Sequence, residues 1–220
     1  GSALPDRGID TVTIPGGVRG WAALAELGAS KTWTELLEDA RRAAAEHPVS
    51  RSLANEVRKE ERALRVDAGC EATFYPGGRA LHEGDAFKQP ALGATLEAIS
   101  KHGPAEFYEG ATARKWITGL QKLGSAITAE EVASYQPELA EPIRSDVFGH
   151  EVITSPPNTQ GFSLLRTLEA LERLHIQDPL GRDAATLARL FAEANLIRSR
   201  LLTDPDQGIT ARTLMDAEVE

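Results

Sequence analysis

Apolar residues return every three or four positions along most of this chain, the spacing of helices with one buried stripe. The clearest run is Trp33, Leu36, Leu37, Ala40, Ala43 and Ala44. It lies behind Thr32-Trp33-Thr34-Glu35, whose Thr-x-x-Glu spacing satisfies two free N–H groups at a helix start. Pro48 is expected to end this helix. Upstream, Val18, Trp21, Ala22 and Ala25 share one face, and Gly28 follows as a stop. Ser50 can cap the next helix, whose narrow stripe (Leu53, Val57, Leu64) accompanies the charge run Glu56 to Arg65. Leu92, Leu96 and Ile99 predict a helix over about 90–100. Phe107, Ala113, Trp116, Ile117 and Leu120 predict another over 104–123. Thr128-Ala129-Glu130-Glu131 is a second capping box, opening a short helix that ends near Tyr135. Leu164, Leu165, Leu168 and Leu171 begin a further helix. The last clear one spans about 183–202, with Leu187, Leu190, Phe191, Ala194, Ile197 and Leu201 in register, and Asp204-Pro205-Asp206 breaks it.

Period-two alternation is scarce. Asp10 to Ile14 alternates and stops at Pro15-Gly16-Gly17, which predicts a short strand and turn. Ile143 to Phe148 and His150 to Thr154 flank Gly149 and predict a hairpin or paired strands. Gly69 to Asp85 is irregular, with a turn at Pro76-Gly77-Gly78. Ser155 to Gly161 contains Pro156 and Pro157 and reads as a loop. With about eight helices and a few short strands, the fold class is mainly α (α+β). No internal repeat or low-complexity tract interrupts it.

Composition narrows the functional classes. The chain has 220 residues, enough for one domain or two small ones. Its net charge is −9, the reverse of the balance that phosphate-backbone binding needs. Aromatics are only 5% of residues, and alanine and leucine carry the apolar content, which again favours helix. The single cysteine, Cys70, cannot form an internal disulfide, so no compartment follows. No run approaches the roughly 20 apolar residues that span a bilayer. Gly1 to Asp10 lacks the apolar centre of a secretory leader. The only methionine is Met215, and the opening Gly1-Ser2 reads either as a tag scar or as an internal boundary.

Familiar chemical signatures are missing. There is no Gly-x-Ser-x-Gly elbow, no His-Glu-x-x-His and no phosphate-binding loop. Gly16-Gly17-Val18-Arg19-Gly20 lacks the dinucleotide-binding spacing and reads as a turn into a helix. Cys70 has no histidine near it in sequence and reads as a small apolar residue. His82, Glu83 and Asp85 could supply metal ligands, though such a short cluster in a turn is ordinarily solvated. Asp204-Pro205-Asp206-Gln207-Gly208 resembles the start of a calcium loop, but the twelfth position is Met215 where a bidentate glutamate is required. The residues alone describe an acidic, mostly helical domain without its own active site.

The order of the motifs is more specific than any one of them. Val12-Thr13-Ile14-Pro15-Gly16 leads to Gly20-Trp21. Trp33-x-Glu35-Leu36-Leu37 is followed by Pro48-Val49-Ser50 and Leu53-Ala54. Gln89-Pro90-x-Leu92, Thr95-Leu96, Gly103-Pro104 and Phe107-Tyr108-x-Gly110 come next. Ile127-Thr128-x-Glu130-Glu131 precedes Ala133-x-Tyr135, and Gly149-x-Glu151-Val152 precedes Pro156-Pro157. From about Leu4 to Asp206 this series resembles the γ-glutamyltranspeptidase family, over the central and C-terminal part of its large subunit.

The resemblance implies an N-terminal-nucleophile hydrolase of αββα architecture. In that family a precursor cleaves itself into large and small subunits. The new N-terminal threonine of the small subunit attacks a γ-glutamyl amide such as glutathione, with its own amino group as base. The acyl group then passes to water or an amino acid. By this resemblance, residues 1–220 are one helical large-subunit domain with a structural role. The glycine-rich region with the carboxylate-binding arginine would precede Gly1, and the nucleophile would follow Glu220, so neither Thr210 nor Thr213 takes that part.

No catalytic residue and no metal ligand is carried over, and no cofactor is implied. Asn158, Thr159, Gln160 and Gly161 occupy the place of the family's Pro-Pro-x-Ser-Ser/Gln-Gly stretch. They are the substrate-binding candidates; a plain helix entry with Thr159 as N-cap is the competing reading. The implied partners are the small catalytic subunit and a small γ-glutamyl substrate, with no nucleic acid and no membrane. Between Glu193-Ala194 and Asp204-Pro205 the family's acidic-basic-aromatic pattern gives way to Asn195 to Leu202, which leaves the subfamily open. A related acylase or amidohydrolase and a non-catalytic helical interaction domain are the alternatives. A metal-dependent hydrolase built on His82 and Asp85 is a third.

Overall fold

The structure is a computed structural model that describes residues 7–218; Gly1-Ser2, and Leu4 where the resemblance begins, lie outside the described residues. Contacts divide the chain into two compact units, Gly1–Pro137 and Glu138–Glu220.

The first unit is a set of short helices. In chain order these are α1 (Gly17–Glu26), α2 (Trp33–Ala45), α3 (Arg51–Lys59), α4 (Glu61–Leu64) and α5 (Ala68–Phe74), then α6 (Pro90–His102), α7 (Ala111–Lys122) and α8 (Ala129–Ser134). Two-residue strands β1 (His47–Pro48) and β2 (Ala86–Phe87) pair antiparallel, with His47 opposite Phe87. Both sequence-predicted capping boxes form: the Thr32 and Thr128 side chains accept from the N–H groups of Glu35 and Glu131, whose carboxylates reach back. Ser50 caps α3 in the predicted way.

α2 packs along α6, and the main core gathers Val18, Leu37, Ala44, Leu96, Ile99, Ala113, Ile117 and Val132 around Tyr108. Burying an aliphatic side chain such as Ile99 contributes about 1.5–3 kcal/mol. A smaller cluster joins Val49, Ala54 and Leu81 beneath Phe74 and Phe87, whose rings stack at 5.9 Å. The α2 stripe is therefore buried on one side only. Leu37 and Ala44 enter the core, while Leu36 stays exposed beside Trp21 and Leu24.

Tyr108 is 1% exposed and carries a polar group into this core. Its hydroxyl donates to the Pro15 carbonyl at 2.7 Å and accepts the Arg19 backbone N–H at 3.1 Å. The Arg19 guanidinium lies 4.6 Å above the Tyr108 ring and donates to the Ala133 carbonyl and the Glu109 carboxylate. A Cβ on Gly16 would overlap the Tyr135 hydroxyl, so any larger residue there would have to displace that ring. One tyrosine and one arginine thus tie α1 to the turn before α7 and to α8.

Four sequence expectations are corrected here. Asp10 to Ile14 forms no strand: Ile9–Thr11 is a 3-10 turn, closed by Thr11 bonding back to the Gly8 carbonyl through both N–H and hydroxyl. An isolated strand needs a ladder partner, and here turn and side-chain bonds take that place. The helix expected over 104–123 is broken. Pro104–Phe107 is a 3-10 turn, and α7 starts after Gly110, which has extended backbone. Glu106 folds back to accept the Thr112 N–H at 2.9 Å, which holds its carboxyl below the ordinary glutamate range. A Cβ on Gly110 would overlap that carboxylate. The irregular stretch after Gly69 contains most of α5, started by Asp67 accepting the Cys70 N–H at 2.7 Å. A further helix also follows the break at Asp204-Pro205.

The second unit begins with a hairpin, β3 (Ile143–Val147) and β4 (His150–Thr154), as the two alternating runs predict. Its turn residues Phe148 and Gly149 both have positive φ, 52° and 75°, the two-residue turn that matches strand twist. Helices α9 (Gly161–Arg173), α10 (Ala184–Leu201) and α11 (Ala211–Asp216) follow. Phe162, Ile197 and Leu214 form the core. Glu172 on α9 accepts the Phe148 N–H at 2.7 Å and Glu169 accepts the Ser145 hydroxyl, so the hairpin is stitched to α9 by carboxylates.

Tyr108→Phe leaves the Pro15 carbonyl and Arg19 N–H without their partner. It is expected to destabilise the first unit by about 1–3 kcal/mol, measured by urea unfolding of the chain; an unchanged midpoint would remove the hydroxyl from this role.

Candidate functional site

The loop from Ser155 to Gln160 connects β4 to α9, and two prolines keep it out of helix. Pro157–Asn158 is a cis peptide. The loop closes on itself: the Thr159 N–H bonds the Pro156 carbonyl at 3.1 Å, and the Thr159 hydroxyl donates to the carbonyls of Ser155 and Pro156 at 3.0 and 2.8 Å.

Thr159 is therefore not the N-cap of α9. Its hydroxyl donates backward into the loop and does not accept from the helix ahead. Gln160 holds the N-cap position and makes no side-chain capping bond. The opening N–H groups of a 13-residue helix thus meet the loop without a side-chain cap. Gly161 is required by packing: a Cβ there would lie 2.0 Å from the Thr154 hydroxyl and 2.8 Å from the Thr154 Cβ.

The four sequence-predicted residues are brought together at this helix entry. Asn158, Thr159 and Gln160 are exposed, and Gly161 is half-buried. The arrangement offers hydrogen-bond donors at the positive end of a helix dipole, which suits a polar or anionic group. It offers neither a nucleophile nor a general base.

The other candidates are occupied structurally. The Cys70 thiol is half-buried, and burial raises its pKa, with Asp67 beside it adding to the shift. That is the wrong direction for a nucleophile. Asp85 accepts from the His82 N–H and from Arg79, and is held below its ordinary range chiefly by the His82 N–H. Glu83 pairs with Arg51 at 3.0 Å. No group of three or more His, Cys, Asp or Glu residues is placed to hold a metal ion among the described residues. Asp204 accepts the Asp206 N–H, so this segment is a helix-stopping turn.

One polar centre in the second unit escaped the sequence reading. Arg166, on the inner side of α9, donates to the carbonyls of Leu214 at 3.1 Å, Ala217 at 2.8 Å and Met215. It borders a cavity of about 350 Å³ that also touches Thr167, Glu169, Glu193 and Asp216. A signal was present: Arg166 stands four residues from both Phe162 and Ala170, which are buried. Leucine periodicity drew attention away from it.

The family model for γ-glutamyltranspeptidase matches residues 1–219. The glutathione hydrolase-like YwrD proenzyme of Bacillus subtilis is 34% identical over 212 residues, covering 93% of this chain and 40% of that protein. Among solved structures, cephalosporin acylase from Bacillus halodurans superposes with a TM-score of 0.88 at 27% identity, covering 97% of this chain and 41% of that one. A γ-glutamyltranspeptidase from Pseudomonas nitroreducens superposes at 0.85 with 25% identity, over 95% of this chain and 64% of that one. The chain spans less than two thirds of the length of each of these proteins.

Gly161→Ala is expected to force Thr154 and the helix entry apart and to destabilise the second unit by about 1–3 kcal/mol. Adding Thr154→Ala removes two of the three overlapping atoms and should recover part of the loss. Chemical unfolding of the single and double variants checks this; equal losses in both would dismiss the packing argument.

Proposed function

This chain belongs to the γ-glutamyltranspeptidase family, and we propose that it serves as the central and C-terminal part of the large subunit of such an enzyme. In this reading both units belong to one large subunit and act as scaffold. The nucleophilic threonine comes from the small subunit of the same precursor, attacks a γ-glutamyl amide such as glutathione, and passes the acyl group to water or an amino acid. The observation that carries the reading is the match of the family model to residues 1–219. It is supported by the likeness to the YwrD proenzyme, which covers 93% of this chain and 40% of that protein. No helix among the described residues is long and apolar enough to cross a membrane.

The loop residues Asn158, Thr159, Gln160 and Gly161 are proposed to line the substrate side of the cleft. Their support is the exposed amide groups beside an uncapped helix start. A second reading, hydrolysis of a different amide, is favoured by the likeness to cephalosporin acylase. The two readings differ in leaving group and acyl chain, not in the type of nucleophile.

Two measurements test the proposal. The 220-residue chain alone should not turn over a chromogenic γ-glutamyl amide, whereas the full-length gene product should do so after self-cleavage. Activity of the isolated chain that survives further purification would overturn the structural role. A full-length product that cleaves only other amides would select the acylase reading.

In the full-length enzyme, Asn158→Ala with Gln160→Ala is expected to raise KM about 5- to 30-fold with little change in kcat, as for loss of binding common to ground and transition states. Unchanged kinetics would remove these residues from the site.

A further inference from the structure

We draw no further inference here: the strongest candidate, the apolar groove of about 740 Å³ between α1 and α2 lined by Trp21, Leu24, Leu27 and Leu36, is an unpartnered face of the first unit, and nothing in the structure shows what covers it.

Discussion

The Tyr108 hydroxyl sits inside the first unit and bonds two backbone groups from the entry of α1. Burial pushes its pKa upward, so it remains a neutral donor and acceptor. Three features depend on it: the placement of the Pro15–Gly16 turn, the direction of α1, and the seat of Arg19 above the ring. Arg19 then reaches Ala133 at the end of α8. In a unit whose two strands are two residues long, no sheet is available to satisfy backbone groups at element ends. Side chains that reach back to main-chain atoms do that work, and Tyr108 is the most buried of them.

The same constraint recurs in different chemistry. Glu106 caps α7 across a broken helix, and Asp67 caps α5. The Tyr75 hydroxyl donates to the Val57 carbonyl at 2.6 Å while Arg65 covers its ring at 4.1 Å. In the second unit, Glu169 and Glu172 hold the hairpin and Arg166 holds the end of α11. Apart from the Asp67 and Glu106 caps, these contacts join residues that local spacing does not connect. They explain how a chain of short helices, individually marginal, keeps defined positions.

Several polar side chains bond helix ends, and the acids of the His82–Asp85 turn are engaged by arginines. The loop before α9 is exposed, Gly161 lets Thr154 approach the helix start, and Gln160 provides no cap. The chain belongs to the γ-glutamyltranspeptidase family, and its fold is also like that of a cephalosporin acylase.

Sequence alone determined the features that are local. Thr32 and Glu35, Thr128 and Glu131, and Ser50 mark helix starts because a capping box needs only residues three apart. The hairpin about Gly149 was equally legible, since alternation and a positive-φ turn are short-range properties. The family was readable from motif order, and the place of Asn158 to Gly161 from its prolines. Tertiary structure decided what depends on distant partners. Asp10 to Ile14 alternates like a strand, yet it had no ladder to join and turned instead. The run from Pro104 to Leu123 looks continuous, but Glu106 folding back to Thr112 splits it. Thr159 has the identity of an N-cap, but its hydroxyl found carbonyls behind it. Arg166 was hidden among leucines because its three acceptors lie about fifty residues away, and no local period encodes which distant carbonyls will need a donor.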